Sequence, residues 1–305
     1  MPAPLTRLAT DRRRSAYLAR FALDTGRFFE PRRTDCPWCA SPRLHTRPPS
    51  RAGLTSDECR DCGHLFQNPR LTPEGLAFYG HHPAAPHPAT ARHHHRSAAR
   101  ALLPFGEPES WLDVGTGDAR FPAAAREFFP YTAFDGTDPT PRVLQARAAE
   151  RVEEAYVGAL ATPALTAHLR ARYDVVSVLR HLEHTADPRA ELRAALTVLR
   201  PGGHLLLELA DPAAPFRTGP PPPHLLPAPN LRAELRAQGC EVLTAARRPR
   251  APFPASYRVL ARRPLVLTRA ARRPVPPPPA PPAHTPARTP RSTGPVRPGT
   301  GDPTP

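Results

Sequence analysis

The chain has 305 residues, and 42 basic residues outnumber 27 acidic ones, which gives a formal net charge of +15. Every basic residue is arginine, so a lysine Schiff-base enzyme and a Walker-type phosphate loop are both excluded. The sequence contains no apolar run of about 18 residues and no uninterrupted apolar segment at its start, so we expect a cytoplasmic protein without a membrane partner. The length predicts roughly two domains, and the 46 prolines predict disordered stretches beside them.

The first 70 residues divide into an arm, residues 1–34, and a cysteine-rich segment, residues 35–70. A moderately amphipathic pattern predicts a helix over Arg13–Phe29 in the arm. The second segment holds two CxxC pairs that are separated by nineteen residues. Each CxxC turn directs two thiolates at one point, and two such turns complete a tetrahedron of sulfur ligands. The spacing therefore predicts a zinc-ribbon-like domain with a structural zinc; the alternative is a set of ordinary buried thiols. The four ligands are Cys36, Cys39, Cys59 and Cys62.

Residues 71–104 are predicted to be a linker between this domain and the rest of the chain. A short helix is predicted over Pro73–Tyr79, and a histidine-rich segment follows it. Because the histidines are irregularly spaced and interrupted by proline, we interpret the segment as a mobile linker, with metal binding and a lid-like contact to substrate as the alternatives. The histidines are His81, His82, His87, His93, His94 and His95.

From Trp111 onward, short apolar runs alternate with helical patterns, as in the βαβ units of a parallel sheet. Residues 105–262 are therefore predicted to form an α/β domain with a doubly wound, mostly parallel sheet, in which Cys240 is a core residue and Pro220–Pro223 form a loop. Residues 263–305 are predicted to be a disordered tail, since 13 of the last 32 residues are proline. The predicted strands are Trp111–Val114, Thr132–Asp135, Ala155–Val157, Val175–Leu179, His204–Leu209, Glu241–Ala245 and Tyr257–Ala261, and the predicted helices are Phe121–Phe129, Arg142–Val152, Arg189–Leu199 and Leu231–Gln238.

A glycine-rich turn lies between the first predicted strand of this domain and the helix after it. Gly115 and Gly117 follow Asp113, and Arg120 stands where a dinucleotide-binding loop has its third glycine, which argues against a nicotinamide dehydrogenase. Asp138 comes twenty-one residues after Gly117, at the end of the second predicted strand, where an acid can accept hydrogen bonds from ribose hydroxyls. Together these features predict a site for a nucleoside-containing cofactor; separately, each is compatible with an ordinary turn and a solvated acid.

Four motifs in order resemble those of class I S-adenosylmethionine-dependent methyltransferases. The glycine loop Asp113–Gly117 resembles the first family motif, and residues 136–140 resemble the end of the second strand. Residues 173–188, with the sequence LEH at 182–184, resemble the fourth strand and its loop, and LRPGG at 199–203 resembles the turn into the fifth strand. The arrangement of a four-cysteine ribbon before such a domain is similar to bacterial methyltransferases that modify sugars or other small metabolites.

The resemblance implies a seven-stranded methyltransferase sheet and S-adenosylmethionine as the cofactor. It implies that Gly115 and Gly117 approach the methionine moiety, that Asp138 holds the ribose and that Asp113 lies near the amino group. The sequence departs from the family in two places. Ala119, preceded by Asp118, replaces the usual third glycine of the loop, and no acid follows the third strand.

The candidate catalytic residues lie in the loop after the fourth strand, at the carboxyl end of the sheet where ligands bind in such folds. We expect His184 to act as the base, with Glu183 orienting it or the acceptor and His181 beside them. The alternative is structural: His184 packs the loop, and Glu183 pairs with an arginine such as Arg180. Glu208 and Asp211 after the fifth strand are interpreted as solvated charges, with a place at the pocket edge as the alternative.

The sequence thus predicts methyl transfer to a small molecule, a sugar or a secondary-metabolite intermediate. An RNA methyltransferase that uses the ribbon and the basic tail is a second hypothesis, and a non-catalytic binding protein on a decayed methyltransferase fold is a third. The charge distribution weakens the RNA hypothesis: residues 246–305 carry 12 arginines and one acid, whereas residues 105–245 carry 14 arginines and 18 acids. A basic tail attracts polyanions without specificity.

Overall fold

The computed structural model describes residues 25–49, 54–72, 74–75, 88–212, 222–248 and 255–265. The predicted tail from residue 266 onward and most of the predicted arm helix lie outside these residues, and the described end of the arm, Thr25–Phe28, is one turn of 3-10 helix. Of the predicted helix Pro73–Tyr79, only Glu74 and Gly75 are described. No helix in these ranges is long and apolar enough to span a bilayer.

Eleven strands and six α-helices, numbered in chain order, make up the described part of the chain. The strands are β1 (Leu44–Arg47), β2 (Ser56–Cys59), β3 (Leu65–Gln67), β4 (Ser110–Val114), β5 (Ala133–Asp138), β6 (Ala155–Val157), β7 (Tyr173–Leu179), β8 (Leu199–Ala210), β9 (His224–Leu225), β10 (Glu241–Arg248) and β11 (Ser256–Arg262). The helices are α1 (Pro88–Ala99), α2 (Arg120–Ala125), α3 (Arg142–Ala148), α4 (Pro163–His168), α5 (Pro188–Val198) and α6 (Ala228–Ala237).

The larger sheet has seven strands in the order β10-β11-β8-β7-β4-β5-β6. The pairs from β8 to β6 are parallel, and β11 is antiparallel to both of its neighbours. The chain builds β4, β5 and β6 outward on one side and then adds β7 on the other side of β4. The strand order therefore reverses at β4, and the crevice at the carboxyl ends of β4 and β7 is the expected ligand site. The predicted α/β class with a mostly parallel sheet is confirmed.

Apolar side chains cover both faces of this sheet. One face packs against α1 and α2 around Trp111, which is fully buried and has the rings of Phe121, Phe129 and Phe134 within 5.6 Å of its own. The other face packs against α5 and α6 through residues such as Leu192. Cys240 belongs to this second core, as predicted.

The smaller sheet joins the cysteine-rich segment to the rest of the protein. Its four antiparallel strands have the order β1-β2-β3-β9, and β9 comes from the chain between β8 and α6. Phe66 pairs with His224, and Gln67 N donates to Pro223 O at 2.9 Å. The proline run that is predicted as a loop therefore leads directly into a strand of the ribbon, a pairing that its composition does not show.

The histidine-rich segment differs from the predicted mobile linker. Its last residues form the twelve-residue helix α1, whose Ala98 and Ala99 are fully buried against the sheet domain. The helix is anchored from outside its own sequence, because Arg258 of β11 donates to the carbonyl of Ser97. The pattern of histidine and proline in the segment does not indicate this contact, because Arg258 is distant in sequence.

Candidate active site

The loop after β4 has the backbone of a close-approach turn. Gly115 and Gly117 adopt φ values of +72° and +54°, and Ala119, in place of the third glycine, adopts +53°. Such values favour glycine because a Cβ crowds the following carbonyl. Ala119 is fully buried against the cluster that contains Ala146 and Val152, so packing holds the alanine in this conformation.

Asp138 lies at the end of β5 and holds this loop in place. Its Oδ2 accepts from Gly117 N at 2.9 Å, and its Oδ1 accepts from the backbone N and the hydroxyl of Thr140 at 2.9 and 2.5 Å. An ionised carboxylate offers about four lone pairs. One acceptor position therefore remains, and a ribose hydroxyl is the kind of donor that can use it.

Asp113 is buried at the end of β4 in a chain of hydrogen bonds. Trp111 Nε1 donates to Ser177 Oγ at 2.9 Å, and Ser177 Oγ donates to Asp113 Oδ1 at 2.6 Å. Burial raises the pKa of Asp113 to about 7, although the Ser177 hydroxyl counteracts part of this effect. The carboxyl group therefore titrates near neutral pH, where its charge responds to a cationic neighbour such as an ammonium group.

The loop after β7 brings His181 against the glycine loop. A Cβ at position 115 would lie 2.2 Å from Cγ of His181, so only glycine permits this contact. The His181 side chain is 15% exposed, and its Nε2 lies 3.9 Å from Glu191 Oε1. His181 and Gly115 therefore form one wall of the crevice at the switch point of the sheet.

Glu183 and His184 follow in a turn of 3-10 helix, Leu182–His184. Glu183 is 1% exposed; its Oε1 accepts from Ala210 N at 3.2 Å and lies 3.3 Å from Arg180 Nε. His184 is exposed on the turn, and the desolvation by its surroundings, together with Arg180 and His181, lowers its pKa in spite of Glu183. The pairing of Glu183 with Arg180 is the structural alternative that the sequence left open.

Glu208 is not the solvated charge that the sequence suggested. It is fully buried, and its Oε2 accepts from Arg258 Nε and Nη2 at 3.1 and 2.8 Å. Its Oε1 accepts from Ser256 Oγ at 2.8 Å and contacts His94 Nε2 at 2.5 Å. Burial alone would raise its pKa, but His94 and Arg258 outweigh burial and lower it to about 2. Asp211 is also buried rather than solvated.

His94 is a member of this site that sequence reasoning missed. Its partner Glu208 is 114 residues away, so the available signal was the run of three histidines in a segment that resembles a lid-forming region. The neighbouring His95 packs edge-on against Phe121 of α2, with ring centroids 6.0 Å apart. Helix α1 therefore covers the carboxyl end of β8 and the start of α2.

Glu191 of α5 orders the loop after β6, in which the sequence lacks the acid of the family pattern. Its two carboxylate oxygens accept from the backbone N of Leu160 and of Ala161, both at 3.0 Å. Glu191 is 2% exposed. A carboxylate from another element thus orders the loop after β6, so this departure from the family pattern leaves the loop fixed.

The four predicted zinc ligands come together. Their sulfur atoms all lie within 4.8 Å of one another, with 3.7 Å between Cys36 and Cys62 and 3.5 Å between Cys39 and Cys59. A tetrahedral zinc with bonds of about 2.3 Å places its sulfur ligands about 3.8 Å apart. The cluster therefore fits a four-coordinate zinc ion.

The ribbon contacts the loop after β7 and the start of α5. Arg189 donates to Trp38 O at 2.8 Å and pairs with Glu234 of α6, while Arg70 donates to Ala186 O at 3.0 Å. His64, at 3.7 Å from Cys36 Sγ, contacts Nδ1 of His224 at 3.2 Å through its Nε2. The ribbon therefore supports the same loop that carries His181, Glu183 and His184.

Two cavities of the described structure lie away from this crevice. One is at the amino ends of β7 and β8, beside Phe105, Asp174 and His204. The other lies between α4 and α5, beside Arg170 and Arg193. Neither cavity contains a residue of the glycine loop or of the loop Arg180–Asp187.

A comparison with protein families finds one match. The family profile described as "Methyltransferase domain" covers residues 90–245, from helix α1 to strand β10. This stretch contains the glycine loop, Asp138 and the loop after β7.

Individual relatives match shorter stretches of the chain than the family profile does. The chain is 34% identical over 99 residues to a ubiquinone biosynthesis O-methyltransferase of Serratia proteamaculans (31% of this chain, 39% of the relative). It is 32% identical over 120 residues to the protein of that name in Xanthomonas campestris pv. campestris strain B100 (38% and 49%). The matched stretch thus spans less than half the length of these relatives. Among solved structures, the [4+2]-cyclase SpnF shares 17% identity and a TM-score of 0.49, over 62% of this chain and 86% of that one.

The buried Asp113 gives stability a pH dependence with a defined sign. Its pKa is about 7 in the folded state and about 3.9 in the unfolded state. The native state therefore holds the proton between these values, and stability falls as pH rises from 4 to 7. Relative to Asp113→Asn, the wild type should lose up to about 4 kcal/mol over this interval and then stay constant.

Urea denaturation of both proteins from pH 4 to 8 measures this difference. Asp174→Asn is the control, since hydrogen bonds from Ser110 and Arg200 outweigh burial and lower the pKa of Asp174. Its difference from the wild type should be flat above pH 5. A flat difference for Asp113→Asn as well would contradict the assigned titration.

Proposed function

Because this chain belongs to the methyltransferase domain family, we propose that it transfers the methyl group of S-adenosylmethionine to a hydroxyl group of a small-molecule acceptor. The observation that carries the proposal is the meeting of Gly115, Asp138 and His181 at the carboxyl ends of β4, β5 and β7. The names of the relatives support oxygen as the methylated atom. A sugar or a secondary-metabolite intermediate is the proposed kind of acceptor.

The residues present fit a nucleoside-containing cofactor. S-adenosylmethionine supplies an electrophilic methyl group on a sulfonium centre. Gly115 and Gly117 keep side chains out of the loop, Asp138 offers a remaining lone pair for a ribose hydroxyl, and Asp113 offers a carboxyl group for the ammonium group. These residues bind and orient, which is the main requirement for an in-line displacement.

His184 is the proposed proton acceptor for the acceptor hydroxyl. Its lowered pKa keeps the imidazole neutral at pH 7, so it can take up a proton. Glu183 is buried and bonded to Ala210 N, which suits a positioning residue for the turn rather than a second base. His181 lies against Gly115 and separates the glycine loop from the solvent side of the crevice.

Zinc is the proposed ion of the cysteine cluster, and its role is structural because four thiolates leave no position for substrate. Cys36, Cys39, Cys59 and Cys62 would hold it. Through Arg70 the ribbon contacts the loop after β7, and through Trp38 it contacts the start of α5, which follows that loop. The ion would thereby hold the catalytic turn against the sheet.

Cofactor binding tests the proposal directly. Calorimetric titration should show that the wild type binds S-adenosylmethionine and that Asp138→Asn weakens binding at least tenfold, because the variant loses the charged acceptor for the ribose and for Gly117 N. Asp174→Asn, at the opposite end of the sheet, should bind like the wild type. Failure of the wild type to bind at millimolar concentration would favour a decayed fold instead.

The role of His184 is tested with 3-hydroxybenzoate as the acceptor and mass measurement of the product. Because the pKa of His184 is lowered, the wild-type kcat should fall only as the pH drops below the usual range of histidine. His184→Gln should lower kcat about 100-fold and remove this acid limb. The KM for S-adenosylmethionine should not change. His168→Gln, an exposed histidine on α4, is the control. A variant with wild-type kcat would show that His184 only packs the loop.

Metal analysis tests the cysteine cluster. The wild type should contain one zinc per chain, and Cys59→Ser should lose it, with a fall in Tm of at least about 5 °C. Because the ribbon supports the loop after β7, affinity for S-adenosylmethionine should fall as well. Cys240→Ser, a buried cysteine outside the cluster, should retain the metal. Zinc retained by Cys59→Ser would contradict the ligand assignment.

A further inference from the structure

Arg180 has an unusual backbone conformation at the carboxyl end of the sheet. It directly follows β7 and adopts φ +57°, in the left-handed region that a side chain with a Cβ rarely enters. Its backbone N is fixed by a hydrogen bond to Glu208 O at 2.8 Å. Strain of this kind persists where the surrounding structure imposes it, and it clusters at ligand sites. Because of this conformation, the backbone turns away from the direction of β7 at Arg180.

The hydrogen bonds of Arg180 are incomplete. Nε lies 3.3 Å from Glu183 Oε1, but Nη1 is buried and has no hydrogen-bond partner among the described residues. A guanidinium donor that is removed from water without an acceptor is costly. The side chain as a whole is 33% exposed, so a ligand in the crevice can reach it.

Glu183 has an unsatisfied hydrogen-bond acceptor. Its Oε1 is used by Ala210 N and Arg180, whereas Oε2 is buried and accepts no hydrogen bond from any described residue. The side chain is 1% exposed, so water does not compensate for the missing donor. The turn after β7 therefore contains one unsatisfied donor and one unsatisfied acceptor.

On the basis of the proposed function, we infer that Arg180 is a carboxylate-binding residue of the active site, and that the acceptor is a small organic acid which also carries a hydroxyl group. Guanidinium is the side chain best matched to a planar carboxylate, because its parallel N–H groups and its charge strengthen the hydrogen bonds. The acceptor carboxylate pairs with the solvent-exposed part of the Arg180 guanidinium. The hydroxyl of the bound acid faces His184 in the same turn, while Glu183 stays buried and holds the guanidinium through Oε1.

The carboxylate has a second source, since the amino-acid group of the cofactor also carries one. The two sources differ in what the loss of Arg180 changes. If the acceptor supplies the carboxylate, cofactor affinity does not depend on Arg180. If the cofactor supplies it, affinity depends on Arg180 only for cofactor forms that retain the amino-acid group.

The experiment compares Arg180→Gln with the wild type by calorimetry. The ligands are S-adenosylhomocysteine, 5′-methylthioadenosine, which lacks the amino-acid group, and 3-hydroxybenzoate added with and without S-adenosylhomocysteine. We expect Arg180→Gln to weaken 3-hydroxybenzoate at least tenfold and to change the two nucleosides less than twofold. 3-Hydroxybenzamide, a neutral analogue, should bind both proteins equally weakly. Arg180→Lys should restore part of the affinity, because it keeps the charge but not the planar donor pair.

Arg172→Gln is the matched control, since it makes the same substitution just before the opposite end of β7 and should behave like the wild type. Weakened S-adenosylhomocysteine with unchanged 5′-methylthioadenosine would support carboxylate recognition and assign it to the cofactor. Unchanged affinity for all ligands in Arg180→Gln would overturn the inference and leave the pair with Glu183 as purely structural. Failure of the wild type to bind either nucleoside would instead contradict the proposed function, while the 3-hydroxybenzoate titration without cofactor would still test Arg180.

Discussion

The close approach of two backbones at Gly115 is the constraint on which the site depends. β4 and β7 are neighbouring parallel strands with Val114 opposite Val178, so the loops that follow them leave the sheet at the same level. A Cβ at position 115 would lie 2.2 Å from the His181 ring and force the two loops apart. Because glycine permits the contact, Asp113 stays buried beneath the crevice, and the turn with Glu183 closes over the end of β8.

The same turn explains why a cysteine-rich segment is built into this protein. A loop at the end of a parallel strand has few backbone partners of its own. Here the ribbon supplies one through Arg70, which donates to Ala186 O, and it holds the helix that follows the loop through the contact of Trp38 with Arg189. The α/β domain in turn contributes β9 to the ribbon sheet, where Phe66 pairs with His224. The ribbon and the α/β domain are therefore joined by a shared strand and by a contact to the loop after β7.

The features that the sequence predicted are those with short-range causes. The glycine loop, Asp138 and the CxxC pairs owe their positions to turns within a few residues, and these turns lie where the patterns indicated. The errors concern groups whose partners are distant. The sequence predicts a solvated Glu208 because it does not show that Arg258 pairs with this acid. The proline run likewise does not indicate that it leads into a strand of the ribbon. Ala119 adopts a glycine-like φ because the core imposes it, which no local propensity predicts.

One face of the sheet changes character along its strands, and helix α1 follows that change. Toward the amino ends, this face carries the aromatic cluster around Trp111; toward the carboxyl ends it carries the buried groups Asp113, Ser177 and Glu208. Helix α1 lies over both parts, with Ala98 and Ala99 on the apolar part and His94 on the polar part. Because hydrogen bonds and charges act more strongly when water is excluded, the helix that completes the core also sets the electrostatics of the crevice. The histidine run, which the sequence analysis interpreted as a linker, is thus the part of α1 that packs over the polar end of the sheet. The alanine-rich stretch that follows it packs over the apolar end.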